Sequence, residues 1–412
     1  MRRWVRLARR TLALASSYPR PEGMAGHFAA GASPAAPSAP RHAPGRGAAA
    51  AAAPPPPRAA FHARAARAPA VALAASPPPG AAPFSPGGQR MILADAMALL
   101  YRSHFAFSPD HRLRTAAGED TTVEFGFLSS LLALLELDPA PTHLAVVFDA
   151  GGKTFRHELY RGYKGHRPDS PPEIRAAVPR LARLLRALGL AELAVPGVEA
   201  DDAIGTLAAR GVAAGFAVAV ASPDKDFFQL LRPGLVLLRP PKRPPPGPPA
   251  PGERRGSKFA LLPYTEADFR AEWAGLAPAQ FVDLLALMGD ASDNVPGVAG
   301  VGPKTAQALL LEHGSLAGVL ANAAVAKPKR AAAALASDEG AAAAELSRQL
   351  VEIRTNLDLP PVQVPLAAFE VRLPPADGGA EAMAILESME LRTHAARLQA
   401  LFERRRPPTP RG

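Results

Sequence analysis

FAVAVASPDKD, residues 216–226, is a short apolar run with β-branched content that breaks at a proline and ends in two acids. Such a run reads as a buried strand passing into a loop. The same design occurs twice earlier, as MILAD at 91–95 and LAVVFD at 144–149, each closed by an acid. A further short strand is expected at 193–195. Between these runs, apolar residues recur at helical spacing over 123–137, 173–190 and 201–214. Strands that alternate with helices predict an α/β fold: a largely parallel sheet over 91–238 with helices on both faces.

Working outward, the stretch RPPKRPPPGPPAPGERRGSK at 239–258 has eight prolines in twenty residues. It can neither pair as a strand nor continue a helix, so it reads as a linker or insertion. Beyond residue 261 the pattern is helical throughout, broken by Gly and Pro at 294–303, and a second, all-α domain is expected over 259–360. The Ala-rich stretch 321–344 reads as helix, and 361–412 as a peripheral closing segment.

Upstream, residues 1–90 hold 12 Arg, no Lys and one acid, Glu22, a net of +11. The whole chain is +10, so the remainder is close to neutral and overall charge says nothing about the partners of its folded part. Rich in Ala and Pro, this segment has little to bury and reads as disordered. Its start, MRRWVRLARRTLALASS, is Arg-rich and acid-free, the pattern of an organelle-targeting peptide. Its length and Ala and Pro content favour a chloroplast slightly over a mitochondrion; a leader that is not translated, with Met91 as the start, is the alternative. The apolar run LALA is too short to span a membrane. The absence of cysteine excludes a disulfide scaffold, a thiolate zinc site and a cysteine nucleophile.

In open parallel sheets, ligands bind at the carboxyl ends of the strands. Asp95 and Asp149 end two strands, and Asp224 and Asp226 follow a third. Glu199, Asp201 and Asp202 lie in VEADDAIG at a helix start, and Asp290 and Asp293 lie in LMGDASDNVPG, where a helix meets a Gly-rich loop. Singly, each has an ordinary explanation: the helix dipole favours acids in a first turn, Asp226 suits a cap and Asp293 a turn. Together, nine converging acids would repel unless cations neutralised them. An oxygen-only set suits two hard ions, Mg²⁺ or Mn²⁺ rather than Zn²⁺, of the kind that drive in-line phosphoryl displacement.

KTFRHELYRGYKGHR, at 153–167, interleaves Tyr160 and Tyr163 with Arg161, Lys164 and Arg167. Cations for phosphates and aromatic faces for bases suit a single-strand surface, although a solvated helix end has the same composition. VPGVAGVGPKTAQALL, at 295–310, reads as a tight glycine turn opening a helix at Pro303. Its backbone N–H groups, with Lys304 and Thr305, suit a phosphate, or the run is an ordinary interhelical turn.

The strings LADAMALLYR, VVFDAGGKTFRHELYRGYKGHRP, VPGVEADDAIGTLA, PDKDFFQLL and LALMGDASDNVPGVAGVGPKTAQALL carry a resemblance. From about residue 91 to 354, and more weakly beyond, the chain resembles the 5′–3′ exonuclease domain of bacterial DNA polymerase I, within the flap endonuclease superfamily. The resemblance implies a PIN-like catalytic domain followed by a helix–hairpin–helix domain. It implies that the nine acids surround two Mg²⁺ ions, with Mn²⁺ as a substitute. It also implies that residues 155–172 form a helical arch, that Lys164, Arg167 and Arg102 are catalytic cations, and that Gly297, Gly300 and Gly302 grip duplex DNA, with K⁺ as a further ion at the hairpin. The sequence departs from the family at Pro223, where a small flexible residue is usual, in the Pro-rich run, and in having no polymerase region after the helical part.

The implied function is a monomeric, stand-alone, Mg²⁺-dependent 5′–3′ exonuclease and flap endonuclease in an organelle. Its substrates would be DNA with a 5′ flap, nick or 5′ end, including RNA-primed ends, in replication and repair. An organellar DNA polymerase is the candidate protein partner, and no membrane association is expected. An RNA-processing nuclease and a catalytically dead DNA-binding adaptor are the rival readings.

Overall fold

The computed structural model describes residues 88–241, 259–327 and 329–405. The expected targeting peptide and nearly all of the Pro-rich run lie outside the described residues. Six strands form one sheet: β1 (Arg90–Asp95), β2 (His143–Phe148), β3 (Ala191–Ala194), β4 (Ala217–Ala221), β5 (Leu235–Arg239) and β6 (Leu262–Tyr264). Their order is β3-β2-β1-β4-β5-β6. The first five are parallel, and β6 pairs antiparallel with β5. The fold is therefore the mostly parallel sheet that the strand–helix alternation predicts. The region past residue 261 is not helical throughout, however: Leu262–Tyr264 returns to the sheet and covers the edge that β5 would otherwise expose.

Because side chains alternate along a strand, each strand feeds two cores. Ile92, Leu144, Val146 and Ala219 face one side. There they meet α1 (Ala96–Phe105), α2 (Thr122–Leu135) and α4 (Pro172–Ala187) through Leu99, Phe127, Leu131, Leu181 and Leu184. Met91, Leu93, Val147, Val218 and Leu237 face the other side. They share a core with α5 (Ala200–Ala213) and with the helices α6 (Glu266–Glu272), α7 (Gln280–Met288), α8 (Pro303–His313) and α11 (Asp338–Val351), through Ile204, Leu207, Phe269, Phe281, Leu285, Leu310 and Leu350.

The Ala-rich stretch is not one helix. It divides into the end of α9 (Leu316–Ala321), a 3₁₀ turn at Ala323–Val325, α10 (Lys329–Leu335) and α11, with Ser337 capping α11 by accepting the Gly340 N–H at 3.1 Å. The last segment forms an outer layer on one face. After α12 (Pro360–Gln363), α13 (Ala380–Ser388) packs on α4 and α14 (Arg392–Arg405) packs on α2, burying Leu386, Leu398, Leu401 and Phe402. Among the described residues, no helix is long and apolar enough to cross a membrane.

His394 of α14 lies in this outer layer, 2% exposed, with Nε2 2.9 Å from Ser129 Oγ and the ring edge-on to Phe125. Its Nδ1 has no hydrogen-bond partner among the described residues. Burial, aided by the Arg397 charge, pushes its pKa down from 6.5 to about 4. The neutral ring is thus the folded form, and its contribution to stability is present above pH 6.5 and lost as pH falls towards 4. Thermal melts of His394→Leu should lose less stability than the parent between those pH values. Parallel pH profiles would count against a buried neutral histidine.

Candidate active site

With β2 and β4 on opposite sides of β1, the strand order reverses direction at β1, and this leaves a crevice at the carboxyl ends. The sequence places acids there. Asp95 caps α1, accepting the Ala98 N–H at 3.0 Å, and its other oxygen accepts Ser222 Oγ–H at 2.8 Å. Asp149, just past β2, accepts the Ala200 N–H at 2.8 Å and so caps the start of α5, whose first turn carries Asp201. After β4 the chain turns through Ser222, Pro223, Asp224 and Lys225 into a 3₁₀ helix, Asp226–Leu230. Within that turn Ser222 Oγ accepts the Asp224 N–H and Asp224 Oδ1 accepts the Asp226 N–H, both at 3.0 Å.

Three of the acids at this rim, Asp95, Asp201 and Asp226, are raised. Burial, with added repulsion from Asp149 and Asp224, pushes Asp95 up to about 7. Burial and the Asp224 charge push Asp226 up to about 8, and burial with Asp95 and Asp224 raises Asp201 well above the carboxylate range. Asp226 Oδ1 is buried with no hydrogen-bond partner among the described residues. Carboxylates that are costly to ionise, with an orphaned oxygen among them, fit a hard divalent cation. Still, no group of three or more His, Asp or Glu among the described residues already stands as a ligand shell, because several of the acids are turned to partners in the chain.

Glu199, Asp290 and Asp293 are among those turned away. Asp290 and Asp293 lie in a loop closed by paired backbone bonds between Asp290 and Val295. Burial would raise Asp290, but Lys225 Nζ at 2.7 Å and Ser292 outweigh it and hold the carboxyl below its usual range. Lys164 Nζ is 3.0 Å from Glu199 and 3.6 Å from Asp293, and Arg167 pairs with Asp293. Burial works against the Lys164 charge, yet Glu199 and Asp293 hold it above its usual range.

The expected arch is only partly helical: α3 (Phe155–Leu159) gives way to turns in which Lys164 adopts φ +51° and donates its backbone N–H to Asp293 O at 2.9 Å. Arg102 lines a cleft of about 470 Å³ with Tyr101, Phe105, Pro223, Asp224 and Lys225. Its guanidinium reaches the carbonyls of Phe259 and Ala260, at 3.4 and 3.2 Å.

Two expected residues are turned elsewhere. Asp202 is expected with the metal acids, but it is fully buried and forked onto Arg156 at 2.6 and 2.9 Å, and it also accepts the Arg354 N–H. The helix turn puts Asp202 about 100° round from Asp201, so adjacent acids face different surroundings. Tyr163 is expected to stack on bases, but it is 3% exposed and donates to Glu199 at 3.1 Å and Asp293 at 3.2 Å. Tyr160 is half-buried and Arg161 exposed.

Gly297 shapes the hairpin from within and is buried. At φ +63°, a Cβ there would stand 2.3 Å from Gly289 N, and its N–H is held by Ser347. Gly300, Gly302 and Lys304 are exposed, Thr305 half-buried, at the start of α8.

Arg156 is among the residues that sequence reasoning missed, with Ser222, Lys225 and Arg239. It is 2% exposed, and besides Asp202 it donates to Leu350 O at 2.7 Å and Glu352 O at 2.8 Å, at the end of α11. Nothing in its local sequence signals burial, since its partners are 46 to 196 residues away.

Residues 90–247 match the family model described as 5′-3′ exonuclease, N-terminal resolvase-like domain, and residues 276–375 match 5′-3′ exonuclease, C-terminal SAM fold. A 5′-3′ exonuclease of Aquifex aeolicus is 35% identical over 273 residues, covering 65% of this chain and 83% of that protein. A DNA polymerase I of Synechocystis is 36% identical over 337 residues, covering 78% of this chain and 31% of that protein. The chain spans about a quarter to a third of the length of such DNA polymerase I relatives. A solved structure described as divalent metal ions (zinc) bound to T5 5′-exonuclease aligns with a TM-score of 0.49 at 16% identity, covering 76% of this chain and 99% of that one.

Two of the expected metal acids should respond in opposite directions. The raised Asp226 makes a contribution to stability that is present below pH 3.8 and lost as pH rises towards 8. Asp226→Asn should therefore raise the melting temperature at pH 8 in EDTA, and a fall there would remove the case for mutual repulsion. Asp202→Asn takes from the buried Arg156 the nearer of its two ion partners, leaving Glu199 at 3.4 Å, and should cost about 3 kcal/mol in denaturant unfolding.

Proposed function

The chain belongs to the 5′-3′ exonuclease family, and from that premise we propose that it is a divalent-metal-dependent, structure-specific nuclease acting on 5′ ends and flaps of DNA, including RNA-primed ends. The observation that carries this reading is the set of Asp95, Asp149, Asp201, Asp224 and Asp226 at one sheet end, with Lys164 and Arg167 reaching over from the facing segment. Mg²⁺ is the ion we propose, in two sites, with Mn²⁺ as a substitute. When bound, such ions activate water and offset charge on the phosphodiester.

The rest falls to the chain's own residues. Asp95, Asp201, Asp224 and Asp226 would supply the anionic oxygens that hold the ions; Asp149 fixes the start of α5, which carries Asp201, and Ser222 fixes the turn that carries Asp224. Lys164 and Arg167 present permanent positive charge beside the acids, where a phosphate would otherwise be repelled, and they offset charge that builds on its oxygens. Water adds across the P–O bond, leaving a 5′-phosphate on one product and a 3′-hydroxyl on the other. Lys304 and the backbone N–H groups at the start of α8 suit a duplex phosphate, a contact that carries no sequence preference.

The test uses the full chain and a 5′-labelled flap on a nicked duplex. Short labelled fragments should appear with Mg²⁺, and be lost in EDTA and in Asp224→Ala. Tight flap binding without cleavage in Mg²⁺ or Mn²⁺ would replace the nuclease with a DNA-binding adaptor. We also propose that the Arg-rich leader directs the protein to an organelle, plastid ahead of mitochondrion. Residues 1–90 fused to a fluorescent protein should then leave the cytosol, and a diffuse signal would reject it.

A further inference from the structure

The turn from Ser222 to Asp226 carries two of the central acids, and most of its anchors, such as Ser222 to Asp95 and Lys225 to Asp290, lie within the acidic rim itself. Pro223 sits in its middle, and proline has no backbone N–H, so its carbonyl is the only backbone group available to anchor it. That carbonyl accepts Arg239 Nη2–H at 2.9 Å. Arg239 is the last residue of β5, and its guanidinium lies 4.4 Å from the Phe228 ring centroid and 5.3 Å from that of Tyr264. Phe228 belongs to the 3₁₀ helix that begins at Asp226, and Tyr264 ends β6. One side chain therefore touches the chain on both sides of the two acids, from a base fixed in the sheet.

We propose that Arg239 is a positioning residue that sets where the Asp224 and Asp226 carboxylates stand for divalent-cation binding. The inference rests on the metal-dependent reading above. An arginine here is not placed for stability alone. Its Nε is buried with no hydrogen-bond partner among the described residues, and burial works against its charge. A buried donor left unmet is an expense that a residue serving only as packing would avoid. The planar guanidinium can lie on Phe228 and Tyr264 while still aiming an N–H at Pro223 O, which a lysine ammonium does not reproduce.

The test compares full-length parent, Arg239→Met and Tyr264→Leu. Met keeps much of the apolar stem and loses the donor; Leu removes one ring and keeps the hydrogen bond. Each is measured for Mn²⁺ affinity by calorimetry with no DNA present, for kcat and KM on the flap in Mg²⁺, and for melting temperature. Arg239→Met should bind Mn²⁺ about 10-fold more weakly, the scale for losing a residue that orients a ligand. Its kcat should fall with KM little changed, whereas Tyr264→Leu should lower only the melting temperature. If both variants melt earlier and both keep the parent's Mn²⁺ affinity and kcat, Arg239 is packing only and the proposal is overturned. An Arg239→Met chain that cannot fold while Tyr264→Leu folds and binds Mn²⁺ normally would also overturn it, since Arg239 would then serve the fold as a whole. A parent chain that binds no Mn²⁺ fails the metal-dependent reading itself, a result distinguishable from either.

Discussion

Carboxylates gathered at one poorly hydrated rim repel one another, and the surrounding structure is organised by what offsets that repulsion. Parallel strands with a direction switch at β1 bring Asp95, Asp149 and the Asp224–Asp226 turn together whatever their separation along the chain. Backbone N–H groups at the starts of α1 and α5 and the Ser222 hydroxyl satisfy some oxygens. Lys225, Lys164 and Arg167 balance the acids of the outer ring, Asp290, Glu199 and Asp293. The inner acids Asp95, Asp201 and Asp226 keep raised pKa values in spite of this. A site that stores unfavourable charge in this way is suited to cations and anionic substrates brought together.

Arg156 shows how the same charge logic fixes the architecture. Its fork on Asp202 and its bonds to Leu350 O and Glu352 O join three regions: the basic segment, the start of α5 and the end of α11. Both partners of the ion pair are desolvated, so its net stabilising effect is small, while its geometric demand is strict. It fixes where Lys164 and Arg167 depart for the rim, eight and eleven residues further along the chain. The helical region is thus tied to the catalytic sheet by polar contacts as well as by the shared apolar core.

Much was legible because strand and motif signals are local. Apolar runs ending in acids gave β1, β2 and β4 within a residue or two, and their alternation gave the parallel sheet. What was not legible depended on rotation and distance. Asp201 and Asp202 are indistinguishable by composition, and only the helix phase sends one to the rim and the other to Arg156. Tyr163 looked like a base-stacking residue because its neighbours are cations; the turn at Lys164 folds it inwards onto Glu199 and Asp293. The three-residue β6 offered no period to read, and it is a strand because β5 supplies its hydrogen bonds.

By itself the sequence determined which chemistry was available: oxygen ligands, permanent cations, no thiols, and turn residues that end strands and open helices. Those properties are set by side-chain type and near-neighbour spacing. Only the tertiary structure decided which acids share a rim, which are consumed by ion pairs, and which arginine holds the Pro223 turn. The reason is that burial and electrostatics depend on distances through space. Arg239 lies 16 residues from Pro223 and Arg156 lies 46 from Asp202, so neither contact exists until the chain has folded.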